Sequence, residues 1–149
     1  MLIKIKLFDL TLPLPEYKSK GAAALDLYSR KEMVIKPGEV QLIPLNIAIE
    51  LPKGFFVLLV NRSSTYKLGI TCVNGVGIGD YDYRGDNDEY QFPALNYTNK
   101  DITIEKGTRC CQLLVLPIEM VKLKQVKALK NSDRGGFGTT GHSTKSNSQ

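Results

Sequence analysis

Met33-Val34-Ile35-Lys36-Pro37-Gly38-Glu39-Val40 opens a stretch that continues through Gln41-Leu42-Ile43-Pro44-Leu45-Asn46-Ile47-Ala48-Ile49-Glu50-Leu51 to Pro52-Lys53-Gly54 and on to Phe55-Phe56-Val57-Leu58-Leu59-Val60. Short apolar runs rich in β-branched residues are separated here by Pro-Gly and Pro-Lys-Gly breaks. No window sustains the 3.6-residue apolar period of a helix, whereas short runs bounded by turn residues read as strands. Downstream the pattern returns in Ile102 to Ile104, the break Lys106-Gly107, and Gln112 to Leu116. Upstream, Met1-Leu2-Ile3-Lys4-Ile5-Lys6-Leu7 alternates like a strand and lacks the apolar core and cleavage site of a signal peptide. Strands at such spacing predict an all-β sandwich, jelly roll or barrel. Val40 to Leu51 reads as one uninterrupted run. A short helix is expected in Ser63-Ser64-Thr65-Tyr66-Lys67-Leu68, capped by Ser and stopped by Gly69. No internal repeat is visible.

The 149 residues suit one domain, a size that buries about two thirds of the unfolded surface. After about Val126 the composition shifts to Lys, Ser, Asn, Gly and Thr, which divides the chain into a β domain over 1–126 and a flexible arm over 127–149. Such a tail cannot bury enough apolar surface to order itself. Phe137, isolated among glycines, is the exception: it is either incidental or the tip of an arm that closes over a ligand. Much of the net charge of +5 comes from Lys122, Lys124, Lys127 and Lys130. Nucleic acid, a small polyanion and a plain solvated connector all fit that charge, which does not choose among them. Three cysteines, Cys72, Cys110 and Cys111, fit neither a paired disulfide set nor a zinc spacing, so a reducing, cytoplasmic setting is expected. No apolar run reaches the roughly 18 residues of a membrane helix.

Chemistry concentrates in Gly75-Val76-Gly77-Ile78-Gly79-Asp80-Tyr81-Asp82-Tyr83-Arg84-Gly85. Alternating glycines supply no packing but let a ligand approach the backbone closely. Asp80 and Asp82 would share a face of an extended chain, one of them holding a water, while Tyr83 offers a flat surface on the other face. An ordinary hairpin tip would use the same Asp and Gly residues as turn formers.

Four more segments accompany this one: Ala24-Leu25-Asp26-Leu27, Arg62-Ser63-Ser64, Gly107-Thr108-Arg109-Cys110-Cys111-Gln112-Leu113 and Arg134-Gly135-Gly136-Phe137-Gly138-Thr139-Thr140-Gly141. In this order and at these separations the five segments resemble the motifs of the trimeric dUTP pyrophosphatases (dUTPases), a match spanning residues 22 to 141. The resemblance implies a dUTPase-like jelly roll of β-clip type, assembled as a homotrimer with shared sites, that hydrolyses dUTP to dUMP and pyrophosphate with Mg2+. It makes Asp80 the general base and has Asp26 and Gln112 reach the metal and phosphates through water. Arg62, Ser63 and Ser64 become phosphate contacts, and Asn74, six residues before Asp80, faces the uracil edge beside the backbone of Gly77, Ile78 and Gly79. Tyr83 would pack on the deoxyribose, Arg134 would hold the γ-phosphate, Phe137 would stack on the base, and Gly138, Thr139 and Thr140 would line the triphosphate. Taken singly, Asp26, Gln112 and Tyr83 are also ordinary strand residues.

The chain departs from the family pattern in places. Gly79 stands where isoleucine is usual, Ala24 where glycine is, and Cys110-Cys111 where an apolar pair is; the last motif is shorter than usual. Asp86-Asn87-Asp88-Glu89-Tyr90-Gln91-Phe92-Pro93 inserts residues before the next strand, and its carboxylates are expected to form a solvated bulge in preference to an additional cation site. A dCTP deaminase shares the fold but needs a catalytic glutamate after the hairpin. Glu89 is the nearby candidate, outside the expected register. A different class of reading is a non-catalytic β-sandwich that binds a nucleotide or a regulatory protein.

Overall fold

The computed structural model describes residues 1–137. Eleven strands follow one another among them: β1 (Lys4–Leu7), β2 (Leu25–Tyr28), β3 (Met33–Ile35), β4 (Val40–Pro44), β5 (Ile47–Glu50), β6 (Phe55–Asn61), β7 (Ile70–Cys72), β8 (Gly77–Gly79), β9 (Gln91–Asn96), β10 (Ile102–Ile104) and β11 (Arg109–Pro117). A single 3₁₀ turn, Thr65–Leu68, is the only helix among the described residues, and no helix there is long and apolar enough to cross a membrane.

Every strand pair is antiparallel. A four-stranded sheet runs β2-β11-β6-β8, a three-stranded sheet runs β4-β9-β7, and β1-β5 and β10-β3 form two further pairs. β11 is the spine of the larger sheet: Gln112 lies opposite Asp26 on one side and Val60 on the other. The inward positions of these layers form one core, in which Leu27, Ile43, Val57, Ile70, Phe92 and Leu113 are all fully buried. Each such side chain contributes about 1.5–3 kcal/mol by leaving water.

Three local expectations change on this framework. The run Val40 to Leu51 is two strands, because Asn46 turns the chain with a left-handed φ of 68°. Asparagine tolerates that conformation, and here it is buried, its Oδ1 accepting from the Asp9 amide at 2.7 Å and its Nδ2 donating to the Asp9 carbonyl at 3.1 Å. The helix after Arg62 shrinks to one turn. Gly69 ends it with φ 75° as expected, but Ser64 makes no side-chain cap bond. Instead Thr65 Oγ1 accepts from the Arg62 amide at 2.8 Å and donates to the Cys110 carbonyl at 2.9 Å. Asp80 and Asp82 do not share a strand face either, since β8 stops at Gly79 and Tyr81-Asp82 form a turn.

The inserted segment is solvated at its tip and buried at its end. Asp86 and Asn87 are exposed, whereas Glu89 and Tyr90 are buried. The Glu89 carboxylate is clamped by Arg30, whose Nε and Nη2 each donate to it at 2.7 Å, and it accepts the Asn46 amide at 3.0 Å. A buried carboxylate survives only with such partners.

Candidate active site

β8 is an edge strand whose inner side pairs Gly77, Ile78 and Gly79 with Leu59, Leu58 and Val57 of β6. Its outer side therefore presents unpaired backbone donors and acceptors. Beside it lies a cavity of about 370 Å³ lined by Gly77, Ile78, Gly79, Asp80, Tyr83 and Tyr90 among others. Tyr83 is held in place by its hydroxyl, which donates to the Glu89 carbonyl at 2.9 Å, and by an edge-to-face contact with Tyr90 at 5.4 Å between ring centroids. It sits in the loop after β8 and not on a strand. Burial, reinforced by the charges of Tyr83 and Asp80, pushes the Tyr90 phenol up to about 12. The Tyr90 hydroxyl finds no hydrogen-bond partner among the described residues. Asp80 follows directly on the strand at the mouth of this cavity and also borders a second hollow beside Asp82 and Phe55.

A concavity of about 360 Å³ opens at the other end of the same sheet, on β2 and β11, lined by Lys18, Asp26, Arg62, Ser63, Arg109 and Gln112 among others. Asp26, 7% exposed, is its pivot. Arg62 Nε donates to one carboxylate oxygen at 2.8 Å and Arg109 Nη1 to the other at 3.0 Å. Arg62 also donates through Nη1 to the Arg109 carbonyl at 3.0 Å, so its guanidinium is fixed in direction. Gln112 Nε2 donates to the Asn61 carbonyl at 3.0 Å, which leaves its amide oxygen available. The outcome is a cationic cradle built around one buried carboxylate. A four-residue 3₁₀ turn has little dipole to offer, so anion attraction here rests on the side chains.

The structure thus groups Gly77, Ile78, Gly79, Asp80 and Tyr83 around one cavity and Asp26, Arg62, Ser63 and Gln112 around another. β8 and β2 are the opposite edges of the four-stranded sheet, three strand spacings or about 14 Å apart. No residue lines both cavities. Ser64 and Asn74 line neither: Ser64 heads the 3₁₀ turn and Asn74 is exposed on the turn between β7 and β8. Arg134 and Phe137 are exposed and outside both cavities, and Gly138, Thr139 and Thr140 lie outside the described residues. Lys18 and Arg109 also line the cradle, although the sequence alone assigns neither a role. Arg109 sits inside one of the quoted segments, where its basic charge next to an expected phosphate contact was the available signal. Lys18, paired with Glu16 at 2.6 Å, gives no such signal. Among the described residues no three His, Cys, Asp or Glu side chains gather to ligate a metal directly.

The dUTPase family model matches residues 11–143. This chain belongs to the dUTPase family. A dUTPase relative, the SPbeta prophage-derived deoxyuridine 5'-triphosphate nucleotidohydrolase YosS of Bacillus subtilis, is 42% identical over 143 residues, covering 95% of this chain and 99% of its own. Among solved structures, the dUTPase of Staphylococcus bacteriophage 80alpha with dUPNHPP superimposes with a TM-score of 0.83 at 24% identity, over 95% of this chain and 99% of that one. The dUTPase of phage phi11 of S. aureus, solved as a mutant that shows how a structural Mg(II) ion is coordinated, gives a TM-score of 0.78 at 21% identity, over 88% and 100%. At these identities the two structures establish the fold, and it is the dUTPase jelly roll expected from the sequence.

Proposed function

We propose that this dUTPase-family chain hydrolyses dUTP between the α- and β-phosphates, with water entering and dUMP and pyrophosphate leaving. The reaction would limit uracil in DNA and supply dUMP. The observation that carries the reading is the free edge of β8, a glycine-lined backbone running straight into Asp80 beside Tyr83. Backbone donors and acceptors of Gly77, Ile78 and Gly79 match a pyrimidine edge, with Asn74 supplying an amide that can both donate and accept. Tyr83 packs on the deoxyribose. Asp80 orients the water and takes its proton as the oxygen attacks the α-phosphorus; the electron pair of the broken P–O bond leaves with pyrophosphate.

Arg62, Ser63, Ser64 and Gln112 hold the phosphates, joined on this reading by Arg109 and Lys18, while Arg134 binds the γ-phosphate and Phe137 covers the base. Gly138, Thr139 and Thr140 complete the triphosphate path, and residues 127–149 act as an arm on the β domain of 1–126. Because nucleoside pocket and phosphate cradle occupy opposite edges of one sheet, a full site joins the pocket of one chain to the cradle of another. The homotrimer expected of the family provides that arrangement.

Magnesium fits this donor set as an ion carried on the triphosphate. Both oxygens of Asp26 already accept from arginines, so Asp26, like Gln112, would reach the ion through its water shell, where the ion would neutralise phosphate charge. The deaminase reading loses its acid-base group, since Glu89 is committed to Arg30 and Asn46.

Purified protein should convert dUTP to dUMP with one pyrophosphate released per turnover and leave dCTP intact. Ammonia release from dCTP would support a deaminase instead, and binding of dUTP with no turnover a non-catalytic module.

A further inference from the structure

Gly79 is the residue immediately before Asp80, and its φ is not in the left-handed region, so its backbone does not require glycine. What requires it is Tyr90. A Cβ placed on Gly79 would lie 2.5 Å from Tyr90 Oη, 2.6 Å from Cε1 and 2.9 Å from Cζ. Such contacts are impossible without displacement, and the ring is not free to move. Tyr90 is 5% exposed and wedged edge-on against Tyr83. Its backbone is pinned on both sides, the amide donating to the Ile47 carbonyl at 2.9 Å and the carbonyl accepting from the Leu45 amide at 2.9 Å. The preceding residue is the clamped Glu89, whose carbonyl also holds the Tyr83 hydroxyl.

We propose that Tyr90 is a positioning residue for base specificity: its ring, seated on the bare Cα of Gly79, sets the depth of the nucleoside pocket and so enforces rejection of a 5-methyl pyrimidine. The proposal rests on the nucleoside role assigned to the β8 edge above. The ring lines the same cavity as Gly77, Ile78 and Asp80, so truncating it leaves a void that opens into that cavity, into which β8 can sink or a methyl group can enter. One extra methyl in an apolar pocket is typically discriminated by about 10- to 200-fold, and discrimination of that size depends on walls that do not yield. The Arg30–Glu89 pair and the Tyr83 contact supply that stiffness, from a segment that interrupts the family pattern in sequence.

The test compares binding of dUMP and dTMP by calorimetry, alongside kcat/KM for dUTP and dTTP, in the wild type, Tyr90→Ala, Tyr90→Leu and Tyr90→Phe. A partly unfolded preparation lowers the binding stoichiometry but not the ratio of the two dissociation constants, so that ratio separates positioning from mere loss of folded protein. Tyr90→Ala should reduce the dUMP preference about tenfold or more. Tyr90→Leu, which refills part of the void and keeps the question answerable if the alanine variant does not fold, should give an intermediate ratio. Tyr90→Phe should retain the wild-type ratio within a few-fold, because the ring and not the hydroxyl fills the notch. An unchanged ratio in both Tyr90→Ala and Tyr90→Leu overturns the proposal, as does a Tyr90→Phe ratio as low as that of Tyr90→Ala. Absent turnover in a wild type that still prefers dUMP overturns the hydrolase reading alone, and the binding ratios still judge Tyr90.

Discussion

The two edges of the four-stranded sheet are built by opposite means. At the β8 edge the pocket is backbone and shape: glycines, an edge strand, two packed tyrosines and two acids, of which Glu89 is already clamped by Arg30 and Asp80 is not. At the β2 edge the cradle is charge: Asp26 locked between Arg62 and Arg109, with Lys18 beside them. The first suits a flat, nearly neutral pyrimidine, for which a misplaced methyl is the decisive error. The second suits a polyanion, for which field and donor direction matter more than fit. Substitutions should therefore fail differently at the two edges, sterically at one and electrostatically at the other.

The largest effect is expected at the point where the two regions must meet. Asp80→Asn should lower turnover by about 10²- to 10⁴-fold, the usual contribution of a general base, while nucleotide binding measured by calorimetry stays near wild type. Asp82→Asn should cost much less. Turnover of Asp80→Asn within a few-fold of wild type would remove Asp80 from the reaction.

Phe137→Ala follows. Stacking on a base is worth about 1–3 kcal/mol, or roughly 5- to 150-fold in kcat/KM. Since the Phe137 side chain is fully exposed, the melting temperature should stay put. A fall in melting temperature with unchanged kinetics would place Phe137 in packing and not in the site.

At the charged edge, Asp26→Asn leaves two guanidinium groups facing a neutral amide. Breaking a buried ion pair typically costs 3–5 kcal/mol, but the Arg109 side chain is 43% exposed, so about 2 kcal/mol is expected, a drop of roughly 4–8 °C in Tm. Calorimetric melting checks it, and an unchanged Tm would show that the cradle is held by its backbone instead.

The smallest effect sharpens the shape-built edge. The Tyr90 phenol is raised from 10.0 to about 12 in the fold, so between those values the unfolded chain releases a proton that the folded chain keeps. Stability from this group is complete below pH 10 and declines as pH rises toward 12. Tyr90→Phe should flatten that decline in alkaline denaturation curves while melting at or above the wild-type temperature at pH 7, because it removes an unpaired buried hydroxyl.

What the sequence makes legible here is local. Pro37-Gly38 and Lys53-Gly54 mark strand ends, Gly69 stops the 3₁₀ turn, and Gly75 marks the turn that leads into β8, since turn chemistry acts over two to four neighbours. The break at Asn46 is hidden because its reason is tertiary: a buried side chain satisfying the backbone of Asp9. Glu89 reads as one more acid in a polar bulge until Arg30, 59 positions away, is beside it. Arg109 becomes a cradle residue only through Asp26, 83 positions away. Likewise Gly79 looks like a loosened strand until the Tyr90 ring occupies its missing side chain.

The division of the site between opposite sheet edges is tested most directly by complementation. Asp80→Asn disables the β8 edge and Arg62→Ala disables the β2 edge, and each folded variant alone should turn over dUTP at a small fraction of the wild-type rate. Refolded together, the two chains should recover turnover well above the sum of the separate preparations, because some mixed assemblies join an intact pocket from one chain to an intact cradle from another. Activity no greater than that sum, in a mixture shown by mass spectrometry to contain mixed assemblies, would contradict the shared site and place both edges' work within a single chain.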